Sequence, residues 1–585
     1  MRGLKRACVA WLLLCAAAGS VAAADADFDR IDARVPMSDG VQLDASLYLP
    51  KHQNAARVPL IVRHHGGGSN KDSPFDVQYA LRSVATGDFA VLMYSVRGHG
   101  ASGGLFDFFG PRTTQDFSEM LDWVASAHGD RVDTSRVGSA GYSQGGGESL
   151  LPAAQDARVK VLAIGNTFAD LNYALNPNDC FKFAFATGIF FGAYTTTASR
   201  VDDTLAVRWG LTLYSDTEDI TIPPFASTTA DLAARSPQTY LDTLIARRVP
   251  IFWTNGWEDQ LFPADHPERM LQPLAAAGVP VHYWFASGGH AAGPNFPDEE
   301  TTREQAMLDW FEQYLNGRDH GFRADAKVDY WQRVSGAPRK QGQWEHHTAA
   351  DWPVPGAVAT AFYPHADGSL TESPAAAGDT ARLINDEVSA NVANDALVHE
   401  LAAKGGAGLS DLLDSVPENE NPLDTVRFTS APLDAPLNVV GAPTVSITQN
   451  STHRIVQQLD AKVWDVDAGG AAQLIWRGGV SGNNGEVVTF ALWPNAHRFE
   501  PGHHIQLTIS SLDFPTFKAD VEPWVSTLVL DQTRVDLPVV ADADGKDEAG
   551  GNSGSGGGGA IPPLALGLLA LARWRRGNEN RAARD

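Results

Sequence analysis

The spacing of apolar and polar positions changes several times along this chain, and each change predicts a different kind of element. Residues 41–50 alternate apolar and polar side chains, as a half-buried strand does. Residues 58–63 and 89–94 are continuous apolar runs, the pattern of inner parallel strands covered on both faces. Between 114 and 127 the period lengthens, with Phe117, Leu121 and Val124 on one helical face. Further apolar runs lead into 136–142 and cover 159–164, 249–254 and 280–285. The run at 280–285 is expected to be the last strand, and 302–316 the closing helix. Strands alternating with helices predict a doubly wound parallel sheet.

The alternation breaks down between 166 and 248. This stretch carries Phe181, Phe183, Phe185, Phe190 and Phe191 at partly helical spacing, and it reads as a helical lid inserted over the sheet. The aromatic stripe is expected to be lid core before it is an acyl pocket. From 326 the grammar changes again. Trp331, Trp344 and Trp352 open a region of short alternating strands such as 443–448, 459–464 and 504–509, which predicts an antiparallel sandwich.

Length agrees with this division, because 585 residues exceed one ordinary core. A net charge of −25 excludes a nucleic-acid partner, which needs a basic face, and leaves the substrate open. The two ends carry other signals. Arg2, Lys5 and Arg6 precede an apolar run and the small residues Ala22-Ala23-Ala24, the order of a secretory signal peptide spanning 1–24. Cys8 and Cys15 leave with it. Cys180 remains and reads as a buried structural thiol, since no basic residue stands next to it. The predicted organisation is therefore a signal peptide at 1–24, a sheet-and-helix half at 25–325 with its lid at about 166–248, and a sandwich at 326–540. An acidic, then Gly/Ser-rich linker follows at 541–559, and an apolar segment with an Arg-rich tail at 560–585.

The candidate chemistry sits in Gly141-Tyr142-Ser143-Gln144-Gly145, a Gly-x-Ser-x-Gly turn between a strand and a helix. In an α/β-hydrolase this turn lifts one serine hydroxyl into the site. Serine needs a base, and the base an orienting carboxylate, in the order Ser, Asp or Glu, His. Asp259, after the strand at 249–254, is the expected acid, with Glu258 and Asp265 as rivals. His290, on the loop after 280–285, is the expected base. His282 lies within a strand, and His64 and His65 precede the serine and are better placed to shape the site's mouth. Two N–H donors must hold the oxyanion. The backbone of Gln144 and of Gly67 are expected to supply them, with Gly66 and Gly68 close behind. The glycine run lacks the Lys-Ser/Thr of a phosphate loop, and spaced His/Cys zinc patterns are missing, so no cofactor or metal is expected.

With these residues placed, the chain resembles the CocE/NonD hydrolases and the related Xaa-Pro dipeptidyl-peptidase S15 group. The likeness rests on Arg97-Gly98-x-Gly100-x-Ser102-x-Gly104, Gly141-Tyr142-Ser143-Gln144-Gly145-Gly146 and Gly256-x-x-Asp259 in the first half. In the second half it rests on 428–433, 441–443 and 499–504, which look like that family's jelly roll. The resemblance implies an α/β-hydrolase followed by a jelly-roll sandwich, and hydrolysis of esters or amides through an acyl-enzyme. Two positions depart from the family. Glycines stand where several members carry a Pro-Tyr whose hydroxyl serves the oxyanion. Leu261 and Phe262 stand where members acting on α-amino esters carry acidic residues that hold the substrate ammonium, a role left to Asp170 or Asp179. The final residues resemble a GlyGly-type C-terminal sorting signal, which implies recognition by a rhomboid-type protease and display on, or release from, a Gram-negative cell. The expected activity is that of an exported serine esterase acting on a small ester or short peptide. A dipeptidyl-peptidase is the alternative enzyme, and a surface glycan-binding protein with an inert hydrolase half is the non-enzymatic one.

Overall fold

A computed structural model describes residues 27–213, 225–290, 297–334, 343–385, 424–452, 457–482, 485–513, 516–518 and 523–541. The expected signal peptide and sorting tail lie outside them. The described residues belong to one compact unit.

The first half is built on a mixed sheet. β1 (Phe28–Pro36) and β2 (Gln42–Pro50) form an antiparallel hairpin, and β2 pairs antiparallel with β4 (Ala90–Tyr94). From β4 the order runs through β3 (Val58–His64), β5 (Val132–Tyr142), β6 (Val159–Gly165), β7 (Ile251–Gly256) and β8 (Val281–Ala286), all parallel. Sequence order reverses between β3 and β5, where His64 lies in register with Gly141. In such sheets the site forms at the carboxyl ends of the strands beside this switch point. The glycine loop after β3 and the serine turn after β5 are therefore neighbours by topology. The helix expected at 114–127 spans Pro111–His128; Gly110 caps it and Pro111 presets its first turn.

Two expectations are corrected here. The strand at 280–285 is not the last of the sheet. β9 (Val328–Val334) runs parallel to β8, and β10 (Gln343–Ala349) returns antiparallel to β9. Trp331 and Trp344, expected to open the sandwich, thus lie in strands of the first half's sheet. β9 extends beyond β8, and its end pairs with the sandwich strand Asn495–Phe499 (His497 opposite Arg333, Arg498 opposite Val334). Strand pairing therefore crosses the boundary expected at 325/326.

The lid comprises helices Leu171–Leu175, Phe183–Thr196, Asp203–Leu213 and Phe225–Ala234, with Leu241–Arg247 leading into β7. Phe185 packs with Phe106, Phe109, Phe168, Leu261 and Phe262 in one apolar cluster, while Phe190 and Phe191 are only half-buried. The sandwich has its own core, including Val445, Ile447, Val463, Trp476, Leu507 and Leu537. Its strand Thr444–Ser451 buries alternate residues as the pattern predicts. Leu459–Val466 is buried on both faces, because Asp460 and Lys462 are enclosed and bonded, Asp460 accepting from Gln458 Nε2 at 2.9 Å and Lys462 pairing with Asp513 at 3.1 Å.

Candidate active site

Ser143 sits at the turn between β5 and the helix Gln144–Gln155, at φ 56° and ψ −123°. This is strained backbone for a residue with a side chain, held by what surrounds it. A Cβ on Gly141 would come within 2.4 Å of Gly145, and one on Gly145 within 2.7 Å of the His64 carbonyl. Only glycine lets strand, turn and helix close this tightly.

The acid and base arrive on adjacent strand ends. Asp259 is 1% exposed; its Oδ1 accepts from the amides of Leu261 (2.9 Å) and Phe262 (2.8 Å). His290 Nδ1 lies 2.8 Å from Asp259 Oδ2, and His290 Nε2 lies 2.9 Å from Ser143 Oγ. With Nδ1 donating to the carboxylate, Nε2 is left to accept from the serine hydroxyl. The three residues expected from the sequence thus stand in one hydrogen-bonded chain. Their rivals are engaged elsewhere: Glu258 pairs with Arg333 at 3.0 Å, Asp265 takes the Tyr173 hydroxyl, and His282 bonds Asp329 at 2.9 Å. His64 is packed between Tyr94 and Phe117.

The glycine loop lies against the serine turn, and a Cβ on Gly67 would stand 3.4 Å from Gln144 Oε1. His65 fixes this loop. Its Nε2 must accept, because the partner is the Val96 amide at 3.1 Å, so Nδ1 carries the proton toward the Gly66 carbonyl at 2.8 Å. Burial lowers the pKa of His65 and favours this neutral form. Ser69 N also donates to the Gly66 carbonyl, at 3.2 Å. In a planar trans peptide this turns the Gly67 N–H the opposite way.

Asp170 caps the helix Leu171–Leu175, accepting from the Asn172 and Tyr173 amides, and Ser236 Oγ donates to it at 3.3 Å. Asp179 is exposed in the lid, near Gly482 of the sandwich. Among the described residues, neither carboxylate bonds to Ser143, His290 or Asp259. Phe262 instead sets its ring edge-on to His290, 5.3 Å between centroids.

Sequence reasoning missed Lys182. Its ammonium is buried, donates to the carbonyls of Gln260 (2.8 Å) and Leu261 (3.1 Å), and stands 4.5 Å from the Trp493 ring centre. It therefore fastens the loop that carries Asp259, and burial lowers its pKa to about 7. No local signal marked it, since its partners are distant in sequence. Cys180 is buried, as expected.

Comparison with known proteins agrees with this architecture. Residues 39–292 match the X-Pro dipeptidyl-peptidase (S15 family) profile, and residues 320–543 match the X-Pro dipeptidyl-peptidase C-terminal non-catalytic domain. A Mycobacterium bovis protein named "Putative serine esterase" is 22% identical, aligning over 86% of this chain and 94% of its own. Two solved structures share the fold across nearly their whole length. An aminopeptidase from the marine sediment archaeon Thaumarchaeota archaeon aligns at TM-score 0.64 and 16% identity, covering 88% of this chain and 97% of its own. A CocE/NonD family hydrolase from Staphylococcus aureus aligns at TM-score 0.62 and 13% identity, covering 89% and 98%. An α/β-hydrolase half and a β-rich half, each matching its S15 counterpart, make this chain a serine hydrolase of the X-Pro dipeptidyl-peptidase (S15) family.

Proposed function

We propose that this chain hydrolyses carboxylic esters through an acyl-enzyme on Ser143. The observation that carries the reading is the hydrogen-bonded chain Ser143–His290–Asp259, with spacings of 2.9 and 2.8 Å. Ser143 Oγ attacks the ester carbonyl carbon as His290 Nε2 takes its proton, and the amides of Gln144 and Gly67 hold the oxyanion. The tetrahedral intermediate collapses, and the alcohol leaves with the proton from His290. Water then repeats the sequence on the acyl group, releasing the acid and restoring Ser143. Asp259 keeps the ring in the tautomer these transfers need.

An ester, as opposed to an amine-bearing peptide, is favoured by the wall beside the base. Leu261 and Phe262 belong to an apolar cluster there, and Asp170 is already used as a helix cap. Ser143→Ala should abolish turnover of a chromogenic short-chain ester with the fold intact; undiminished turnover would sink the assignment. The family description favours a second reading, release of N-terminal Xaa-Pro. An Ala-Pro-anilide cleaved only with a free amine would establish that reading, and equal indifference to the N-acetylated form would remove it.

The order of charges and apolar residues at both ends supports export, with the C-terminal tail read by a rhomboid-type sorting protease. Cell fractionation of the full chain against one ending at residue 541 tests this. Retention of both forms in the cytoplasm would refute it.

A further inference from the structure

The turn that follows β6, Gly165-Asn166-Thr167, begins the stretch whose sequence carries no recognisable motif. In the structure it touches the serine turn, the acid-bearing strand and the base loop. The Gly165 carbonyl accepts from Ser143 N at 3.0 Å, and Thr167 Oγ1 donates to the Ser143 carbonyl at 2.8 Å. Asn166 N donates to the Thr254 carbonyl at 2.9 Å. Its side chain spans the other two loops: Oδ1 accepts from the Gly256 amide at 3.1 Å, three residues before Asp259, and Nδ2 donates to the Gly289 carbonyl at 3.0 Å, immediately before His290. Asn166 is 9% exposed and sits at φ 43°, a left-handed backbone that asparagine tolerates better than most residues. One buried amide, using both its donor and its acceptor, thus ties the acid-bearing strand to the base loop, and its neighbours grip the serine.

We propose that Asn166 is a positioning residue for hydrolysis, holding the base loop against the acid strand so that His290 stays aligned between Asp259 and Ser143. This rests on the roles assigned above to those three residues. A displacement of about 1 Å at such a constellation is enough to lower the rate by about a hundredfold. Because Asn166 bonds backbone on both loops and is hidden behind them, its loss should act on chemistry and leave substrate binding alone.

Two substitutions compatible with positive φ test this. Asn166→Gly deletes both side-chain bonds. Asn166→Asp keeps the acceptor for Gly256 but faces the Gly289 carbonyl with an oxygen. On a chromogenic short-chain ester, both should lower kcat by about tenfold or more while KM stays within about threefold of wild type. The second-order rate of Ser143 labelling by a fluorophosphonate should fall with kcat. A folded variant of either kind with kcat within about twofold of wild type overturns the proposal. So does a loss in which KM rises in step with falling thermal stability, since a merely structural residue would do that. Turnover surviving in Ser143→Ala would instead overturn the serine reading itself, so the two failures are distinguishable.

Discussion

Asp259 is held by more than its place in the order of residues. Two amides and the imidazole bond a carboxylate that is almost wholly buried, so its direction is set before substrate arrives. Asp259→Asn keeps the size but presents an amide donor or a weaker acceptor to His290 Nδ1, and the ring loses its tautomer. The expected cost is on the order of 10³-fold or more in kcat with little change in KM, read on the same ester. Lys182 shows the opposite balance, a charge that burial penalises. Its pKa is about 7 in the folded chain and that of an ordinary lysine, 10.5, when unfolded. The unfolded chain therefore binds more protons between these values, and stability rises with pH across that window. Below pH 7 both states are charged and the contribution is flat. Lys182→Met should remove this rise, and denaturant midpoints measured from pH 6 to 10 would show whether it does.

At the scale of elements, the serine turn was legible because its requirements are local. Gly141 and Gly145 must be glycine for close approach, and a strand before and a helix after can be read within twelve residues. Gly145→Ala should lower stability by about 2 kcal/mol and kcat more severely, since the new methyl meets the His64 carbonyl and moves the turn that carries Ser143. Calorimetry beside kinetics would check both parts. Asp259 and His290 were legible for a similar reason, each following an apolar run in the order the chemistry demands. What could not be read depends on surfaces that meet only after folding. The alternation in Leu459–Val466 was read correctly as a strand, yet Asp460 and Lys462 are buried, because the face that pattern assigns to solvent is covered. Asn166 and Lys182 were missed likewise. Each is one polar residue in a stretch without periodicity, and each finds its partners far along the chain.

Across the whole molecule, the sandwich bonds directly to the loop that bears the acid. Arg477 Nη1 donates to Gln260 Oε1 at 3.0 Å and Nη2 to Asp513 at 2.9 Å, while Trp493 covers Lys182. Gln260 is the residue after Asp259. Arg477→Ala, more than 200 residues away in sequence, should therefore lower kcat as well as stability. Stability should fall by about 3 kcal/mol, because Asp513 loses a buried partner. Full activity in a folded Arg477→Ala variant would show that the second half only shields the first. The pairing of β9 carries a further consequence. β10 occupies one edge of β9 throughout, so β8 and the strand Asn495–Phe499 share the other, one beyond the other. The base loop leaves the sheet where the later strand takes over. During synthesis the first half emerges with that stretch of edge bare, a template for pairing with the wrong chain until residue 498 has been made. An enzyme built this way reaches its working form only once its second half is in place, and expressing the chain only as far as Ala349, which keeps β9 and β10, should yield aggregate instead of a smaller hydrolase.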